Sequence, residues 1–300
     1  MTQRALIFGA NGQDGRYLSA LLGAAGVEVS STSRSAGDLR GDIGDGAFVE
    51  SAIRQHRPDY IFHLAANSST RHDTLFDNHR AIATGSLNVL ESARLHAPAA
   101  RVFISGSAMQ FRNLGLPIDE RTEFEGSSPY SVARIQSVYA ARYFRAAFGM
   151  RVYVGYFFNH DSPLRSERHV NQKIVAALRR IVNGSRERLV LGNVEVRKEF
   201  NFAGDVVDAV WKLVNQDAVS EAVIGCGVAH SIAEWLQYCF GKAGLDWRAH
   251  VDVDAGHVSE YQVLVSNPAV IQGLGWRPAL DFKGLADLMM AEGRSHDPRE

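Results

Sequence analysis

Short apolar runs alternate with amphipathic stretches through the first half of the chain. The apolar runs are rich in β-branched and aromatic residues, which is typical of buried strands. They predict strands at Ala5–Phe8, Val27–Thr32, Tyr60–Leu64, Val102–Ser105 and Val152–Phe157. Between them, apolar residues recur at steps of three and four, which predicts helices at Gly15–Ala25, Ala47–His56, Asn78–His96 and Ser131–Phe148. This alternation builds a parallel sheet covered by helices, so we predict an α/β fold with a Rossmann-type doubly wound sheet.

The alternation weakens after Phe158, where we predict a smaller C-terminal substrate lobe. Helices are expected at Val170–Val182 and Asp205–Val214. A third should start at Ser231, because Ser231 and Glu234 have the spacing of a capping box, and should end at Gly241. The predicted division is residues 1–158 for the dinucleotide-binding domain and 159–300 mainly for the lobe, with segments of the second part returning to the first.

Charge and cysteine content narrow the classes of function. Lys and Arg together number 32 against 33 Asp and Glu, so no broad positive field is available for a nucleic acid or an anionic membrane. No apolar stretch approaches the ~18 residues of a membrane span, and the start of the chain lacks the pattern of a secretory signal. Cys226 and Cys239 stand in no metal-binding or disulfide pattern. We therefore expect a cytoplasmic protein that binds no metal, nucleic acid or membrane.

A glycine-rich turn stands between the first predicted strand and the first predicted helix. Its glycines let the backbone approach a pyrophosphate, and the helix N-terminus directs free N–H groups at it. The spacing is G-x-x-G-x-x-G, so the assignment depends on this placement between strand and helix. The turn residues assigned to a dinucleotide are Gly9, Asn11, Gly12, Gln13, Asp14 and Gly15.

The residues after the second strand favour NADP(H). Thr32-Ser33-Arg34-Ser35 contains no acidic residue that would repel a 2′-phosphate, and Arg34 can bind one. A solvated surface arginine is the alternative reading of Arg34. Asp42 and Ile43 are placed to meet the adenine, and Leu64, Ala65 and Ala66 are assigned to the same site.

Three residues fall in the order expected for hydride transfer. Ser107 follows the strand Val102–Ser105, and Tyr130 opens a helix about twenty residues later. Arg134 lies one helical turn beyond Tyr130, where a cation would support the proton transfer. A tyrosine four residues before a basic residue is common by chance, so the assignment depends on the order of glycine turn, serine strand and tyrosine helix.

These motifs resemble those of extended short-chain dehydrogenases/reductases. Two later segments resemble GDP-mannose 4,6-dehydratases. Phe157–Pro163, from its second residue onward, resembles F-N-H-E-S-P, and Leu191–Glu199 resembles L-G-N-L-D-A-K-R-D. The resemblance covers nearly the whole chain and implies a GDP-linked hexose as substrate. The substrate-binding residues that it implies are Ser68, Met109, Asn159, Lys173, Leu191, Lys198 and Glu260, with His257 in place of a family arginine.

One departure from the family bears on the reaction. The family carries Thr, a polar residue and Glu where this chain has Ser107, Ala108 and Met109. A thioether cannot perform the acid and base steps of dehydration, whereas hydride exchange at carbon 4 needs only the tyrosine and serine. We therefore predict 4-keto reduction or epimerisation. Two alternatives stay open: a GDP-mannose 4,6-dehydratase in which Asp119, Glu120 or His160 replaces the glutamate, and a catalytically silent binding protein.

Two further departures concern Arg134 and the subunit arrangement. Arg134 replaces the family's lysine, and a planar fork cannot reproduce the bonds of an ammonium without movement, so we expect slow turnover. The stretch from Arg34 to Asp42 is shorter than the family's tetramer-forming loop, which favours a homodimer. The predicted helices Asn78–His96 and Ser131–Phe148 would form its four-helix bundle, with Ile135, Val138 and Tyr139 available for it, although packing within one chain explains these three residues equally well.

Overall fold

A seven-stranded parallel sheet forms the centre of the protein. The computed structural model describes residues 2–35, 37–254, 256 and 258–291. Its strands are β1 Arg4–Phe8, β2 Glu28–Ser33, β3 Leu39–Arg40, β4 Tyr60–His63, β5 Arg101–Ser107, β6 Arg151–Phe157, β7 His160–Asp161, β8 Leu189–Leu191, β9 Arg197–Glu199, β10 Asn201–Phe202, β11 Glu221–Ile224, β12 Ala229–Ser231, β13 Val251–Val253 and β14 Val263–Leu264. The central sheet has the order β11-β6-β5-β4-β1-β2-β3, and every pairing in it is parallel. The predicted fold class is confirmed.

Helices cover both faces of this sheet, and further helices pack beside it. They are α1 Gln13–Ala24, α2 Gly46–His56, α3 Leu75–Asn78, α4 Gly85–His96, α5 Pro129–Phe148, α6 Val170–Val182, α7 Ala203–Val214, α8 Ile232–Lys242, α9 Ala269–Gly273 and α10 Phe282–Ala291. Residues of α2, α4 and α5 pack in one apolar core, and residues of α1 and α7 pack in the core on the other face. The longer helices of these two layers bury the apolar residues that recur at steps of three and four.

The predicted helix Asn78–His96 is wrong in its bounds and in the geometry of its first part. The helical segment begins at Leu75, and a π-helical turn, His79–Thr84, joins α3 to α4. The widened turn places Ile82 and Ala83 against Tyr130 in a small buried cluster. A π-helical turn is defined by backbone hydrogen bonds between residues i and i+5. The spacing of apolar residues does not reveal these bonds, so the turn could not be predicted from periodicity.

A smaller group of elements packs beside the main sheet. α6, α8 and α10 share a core that includes Trp235 and Phe240, and short strands pair beside them as β12-β9-β14, β10-β7 and β13-β8. The capping box of Ser231 and Glu234 is present at the start of α8. Beyond residue 158, α7 and β11 belong to the layers of the central sheet. None of the helices in the described ranges is long and apolar enough to cross a membrane.

Candidate active site

Three adjoining clefts lie along the carboxyl edge of the central sheet. The first, the glycine-turn cleft, runs from Gly9 to Arg34 and Asp42. The second, the central cleft, has a volume of about 370 Å³ and contains Tyr130. It shares Gly9, Gly12, Leu64 and Ala66 with the first cleft, and Val170, Glu260 and Tyr261 with the third, the lobe cleft. An extended ligand pair could therefore occupy all three clefts end to end.

All of the predicted cofactor, catalytic and substrate residues line one or more of these clefts. The glycine-turn cleft is lined by Gly9, Asn11, Gly12, Arg34, Asp42, Ile43, Leu64, Ala65 and Ala66. The central cleft adds Gln13, Asp14, Gly15, Ser68, Ser107, Met109, Tyr130, Arg134, Asn159, Lys198 and Glu260. The lobe cleft adds Lys173 and Leu191. His257 lies outside the described residues.

The glycine turn has the close backbone packing that requires glycine. Gly9 has φ +95°, and a Cβ there would lie 2.6 Å from Ala65 N on the neighbouring strand end. A Cβ at Gly15 would lie 2.5 Å from the Gly9 carbonyl oxygen. No side chain caps the N-terminus of α1, whose first residue is Gln13. The free N–H groups and the helix dipole are thus available to a pyrophosphate.

Hydroxyl and cationic side chains surround the far end of the glycine-turn cleft. Asn11 Nδ2 donates hydrogen bonds to Ser33 Oγ at 2.8 Å and to Ser35 Oγ at 3.3 Å, which places both serines beside Arg34 in the cleft lining. Arg80 also lines this cleft and pairs with Asp42 at 3.1 Å. Arg80 was not predicted as a site residue, because it lies on the π-helical turn that the periodicity does not reveal.

A buried ion pair joins the first turn of α1 to β7. His160 Nδ1 donates to the Phe158 carbonyl at 2.8 Å, and His160 Nε2 donates to Asp14 Oδ1 at 3.0 Å. Burial alone would lower the pKa of His160, but the Asp14 carboxylate outweighs it and raises the pKa. Burial likewise opposes ionisation of Asp14, and His160 more than compensates, so the pKa of Asp14 is lowered. Both ring nitrogens of His160 are engaged, so neither offers a lone pair to a ligand.

Helix capping places Ser107 and Tyr130 in the central cleft. The Ser107 side chain caps a 3₁₀ turn, Ala108–Gln110, by accepting from Met109 N at 3.2 Å. Ser128 caps α5 in a capping box with Ser131, which starts the helix with Tyr130 in its first turn. Both side chains are less than one-tenth exposed. The predicted acid and its orienting hydroxyl therefore line the same cleft and are largely shielded from solvent, where electrostatic interactions are stronger.

Arg134 is anchored to the sheet. Its guanidinium lies 5.1 Å from the centroid of the Tyr130 ring and donates to Ser105 Oγ at 2.7 Å and to the Ser105 carbonyl. Ser105 Oγ in turn donates to the His63 carbonyl at 2.9 Å. The cation is thus fixed beside the tyrosine by strand β5.

The side chain of Met109 lies in an apolar part of the central cleft. It packs against a cluster of Ile82, Ala83, Tyr130 and Ala133. Two of the three groups considered as substitutes for the missing glutamate lie elsewhere. Asp119 accepts hydrogen bonds within its own turn from Arg121 and Thr122, and Glu120 accepts from Val223 N at 2.7 Å. Among the described residues, neither contributes to the lining of the three clefts.

Polar groups from the smaller lobe line the opposite side of the central cleft. Tyr261 OH donates to Asn159 Oδ1 at 3.3 Å, and burial raises the pKa of Tyr261 to about 12. Glu260 accepts a hydrogen bond from Thr70 Oγ1, which connects the lobe to the main domain. In the lobe cleft, Lys173 Nζ donates to the Val190 carbonyl at 2.7 Å.

Four titratable residues in the central cleft were not predicted as site residues: Asp161, Arg165, His169 and Tyr261. Arg165 and His169 follow the Phe157–Pro163 motif in a polar loop and at the start of α6. No local pattern marks them, because their approach to Lys198 depends on how the loop packs on β9. A signal was available only in the concentration of basic residues at Arg165, Arg168 and His169.

Comparison with known proteins assigns the chain to a family. The family model described as GDP-mannose 4,6 dehydratase matches residues 6–289. The chain belongs to the GDP-mannose 4,6 dehydratase family. GDP-mannose 4,6 dehydratase 1 of Arabidopsis thaliana is 30% identical, over 99% of this chain and 91% of the relative. The resemblance inferred from the motifs is thus confirmed, and the curated relatives support the prediction of an enzyme.

Solved structures share the fold of this member of the GDP-mannose 4,6 dehydratase family. UDP-glucose 4-epimerase of Thermus thermophilus in complex with NAD aligns with a TM-score of 0.84 at 21% identity, covering 96% of this chain and 98% of that chain. RMD from Pseudomonas aeruginosa in complex with NADPH aligns with a TM-score of 0.84 at 21% identity, covering 97% of each chain. At these identities the likeness establishes the architecture.

Proposed function

We propose that the protein is an NADP(H)-dependent enzyme that acts on carbon 4 of a GDP-linked hexose, by 4-keto reduction or epimerisation, without removing water. The nicotinamide dinucleotide would lie along the glycine turn into the central cleft, and the sugar nucleotide would extend from Tyr130 into the lobe cleft. Residues 159–300 would supply most of the sugar-nucleotide contacts. The relatives' names and the RMD complex with NADPH support this ligand pair.

The cofactor assignment is supported by the lining of the glycine-turn cleft. The end of β2 carries Ser33, Arg34 and Ser35 and no carboxylate. A 2′-phosphate there would accept charge-assisted hydrogen bonds from Arg34 and neutral ones from the serine hydroxyls. Asp42 and Ile43 line the wall on which the adenine would rest.

Proton transfer at carbon 4 is assigned to Tyr130. When bound, the dinucleotide supplies or accepts the hydride. In the reductive direction, Tyr130 donates its proton to the carbonyl oxygen at carbon 4 as carbon 4 gains the hydride, and the product is an alcohol. Ser107 Oγ orients the same oxygen. Arg134, held by Ser105, stabilises the negative charge left on the tyrosine oxygen.

The observation that carries the choice of reaction is Met109 in its apolar surroundings. Dehydration needs one group to remove the proton at carbon 5 and an acid for the hydroxyl leaving carbon 6. The carboxylates in the described lining of the central cleft are all engaged: Asp14 with His160, Asp161 with Asn171, and Glu260 with Thr70. A thioether beside Ile82 and Ala83 instead suits a methyl group at carbon 6, so the proposed substrate is a 4-keto-6-deoxy sugar nucleotide.

Dehydration is the second candidate, because the curated relatives are named GDP-mannose 4,6-dehydratase and because His160 lines the central cleft. Incubation with NADP and GDP-mannose, followed by mass spectrometry, separates the two. We expect no loss of water, and then a gain of two hydrogens when NADPH and the GDP-linked 4-keto-6-deoxy hexose are supplied. Loss of water from GDP-mannose would favour dehydration. Binding of both ligands without any change in them, including configuration, would favour a silent binding protein.

We further propose that the protein is a homodimer. Large apolar side chains on the outer faces of α4 and α5 are 40–59% exposed: Leu87, Leu95, Val132, Tyr139, Tyr143 and Phe148. Exposed large apolar side chains concentrated on two neighbouring helices are typical of an interaction surface, and a second copy of the two helices would cover them. Val138, considered for this interface, is fully buried in the core, and Ile135 is half-buried. A cytoplasmic location stays a prediction.

A further inference from the structure

Lys198 brings a buried positive charge into the central cleft. The residue is only 7% exposed, and burial lowers its pKa. Its Nζ lies 5.2 Å from the centroid of the Phe200 ring, and within the described residues it makes no hydrogen bond or ion pair. The Asp161 carboxylate opposes this effect, but it is engaged with Asn171 and Arg165. A ligand that supplies further negative charge would therefore stabilise the buried ammonium. Lys198 therefore marks a place for an anion.

His169 lies in the same cleft at the start of α6. It is the N-cap residue of this thirteen-residue helix, and its side chain does not cap the helix. The imidazole makes no hydrogen bond to any part of the chain that the structure describes. Val170, the first residue of the helix, lines both the central and the lobe clefts. The junction of the two clefts thus combines an uncapped helix N-terminus, an unpartnered imidazole and an unpartnered ammonium.

We propose that His169 is a proton-coupled ligand of the substrate's diphosphate: the imidazole is neutral in the empty cleft and takes up a proton when the diphosphate binds. The inference rests on the sugar-nucleotide function proposed above. It adds a binding group to that function and predicts how substrate affinity depends on pH. The diphosphate would accept hydrogen bonds from the imidazolium, from Lys198 and from the N–H groups of α6.

The charges around His169 explain why it is neutral before substrate binds. Burial lowers the pKa of His169 to about 4, and the Arg165 guanidinium adds to this effect. Lys198 and His160 act in the same direction, and Asp161 opposes them. Other charged groups in the lining around this junction are Arg168, Lys173 and Glu260. A bound diphosphate adds two negative charges here, which favours the imidazolium.

The sign of the pH dependence follows from linkage. Below about pH 4, His169 is charged with or without substrate, so binding takes up no proton. Above the pKa of the bound state, His169 is neutral in both states, and again no proton is taken up. Between these limits each binding event takes up as much as one proton, so affinity rises by as much as about tenfold for each unit by which the pH falls.

Isothermal titration calorimetry with GDP-mannose tests the proposal. The titrations are made from pH 5 to 8 in buffers of different ionisation enthalpy, which yields the number of protons taken up. GDP-mannose is chosen because its diphosphate, esterified at both ends, keeps a constant charge over this range. The Tyr130→Phe background prevents hydride transfer during the titration. We expect uptake approaching one proton at the acidic end and tighter binding there.

Two variants make the measurement specific to His169. His169→Asn should abolish the proton uptake and flatten the pH dependence, while still binding GDP-mannose at pH 8 within a few-fold of the parent. His96→Gln is the matched control, because His96 pairs with Glu50 at the end of α4, away from the clefts, and it should leave the uptake unchanged.

The outcomes distinguish this inference from the proposed function. GDP-mannose binding without proton uptake in the parent protein overturns the inference alone, whatever the variants do. Uptake that persists in His169→Asn assigns the proton to another group and also overturns it. Absence of GDP-mannose binding at every pH overturns the substrate assignment and the inference together.

Discussion

The Arg134 guanidinium lies 5.1 Å from the centroid of the Tyr130 ring, and its hydrogen bonds run to Ser105 on β5. The fork is held by the sheet while its charge stays beside the tyrosine. Both hydrogen bonds to Ser105 leave the same nitrogen, Nη1. A lysine side chain is shorter, so its ammonium would not reach Ser105 from this position without movement. We therefore expect that exchanging Arg134 for the family's lysine is not neutral in this protein.

Arg134→Lys should change how the cofactor binds. The substitution keeps the charge and breaks the contacts with Ser105, so we expect a severalfold change in the dissociation constant of NADPH and a change in turnover of about tenfold or less. Arg134→Met is the comparison, since it removes the charge and should lower turnover by a further factor of about ten or more. Fluorescence titration of NADPH and steady-state kinetics measure both. Equal affinity and turnover in Arg134→Lys and the parent would show that the fork has no role.

Met109→Glu should confer some loss of water from GDP-mannose. A carboxylate at this position would lie beside Tyr130, where an acid and base for carbons 5 and 6 is otherwise absent. Mass spectrometry of the sugar nucleotide after incubation with NADP detects the product. Met109→Leu preserves an apolar side chain of similar volume and should release no water. A Met109→Glu protein that binds both ligands but still leaves GDP-mannose intact would contradict a simple missing-base explanation.

Local chemistry made most of the central sheet predictable. Strands β1, β4 and β6 are continuous apolar runs, and their predicted bounds differ from the observed ones by a residue or less. β5 extends to Ser107, two residues beyond its predicted end. The prediction stopped short because Gly106 and Ser107 lack the apolar side chains by which the strand was recognised. β11 was not predicted as a strand, since it starts with a charged residue, Glu221, and pairs with β6, which lies more than sixty residues earlier in the chain.

Some residues of the candidate site could likewise be predicted from the sequence, and others could not. Gly9, Tyr130 and Arg134 belong to motifs whose spacing carries the chemistry, so they could be found in the sequence. Arg80, Arg165 and His169 reach the clefts only through a π-helical turn and a loop. Their contribution depends on tertiary packing, which no spacing rule for a single segment contains.

Arg34→Ala should weaken NADPH binding and leave NADH binding nearly unchanged. The charge-assisted hydrogen bonds of the guanidinium to a 2′-phosphate are worth roughly ten- to a hundredfold in affinity, and NADH has no such phosphate. Parallel titrations with the two dinucleotides measure the ratio. An equal loss for both would mean that Arg34 supports the fold of the cleft rather than the phosphate.

Tyr143→Glu combined with Leu87→Glu should produce monomers. Tyr143 on α5 is 59% exposed and Leu87 on α4 is 50% exposed, so neither substitution should disturb the core. In a dimer the two new carboxylates would be buried in the four-helix interface, which opposes association. Sedimentation velocity measures the mass. Leu114→Glu is the control, because Leu114 is 69% exposed and lies in a loop apart from both helices. A parent protein that sediments as a monomer would contradict the proposed dimer.

The Asp14–His160 pair should make part of the stability dependent on pH. The two side chains are 20% and 10% exposed and their atoms are 3.0 Å apart, so removing one partner leaves a buried charge and should cost about 3–5 kcal/mol. The folded-state pKa of Asp14 is lowered from 3.8, so its contribution is complete above that value and is lost as the pH falls through the folded pKa. The folded-state pKa of His160 is raised from 6.5, so its contribution is complete below that value and is lost as the pH rises through the folded pKa.

The contribution of this pair to stability should therefore be greatest between about pH 4 and 6.5 and decline on both sides. Urea unfolding of the parent and of Asp14→Asn/His160→Gln, measured from pH 3 to 9, isolates it, because the double variant replaces both ionisable groups by amides of similar size. The difference in the free energy of unfolding between the parent and the double variant should follow this bell shape. A difference that is constant from pH 3 to 9 would mean that the two side chains stabilise the fold through packing and hydrogen bonds and that their charges contribute nothing. Asp14→Asn alone should be less stable than the double variant at low pH, where His160 is charged without its partner.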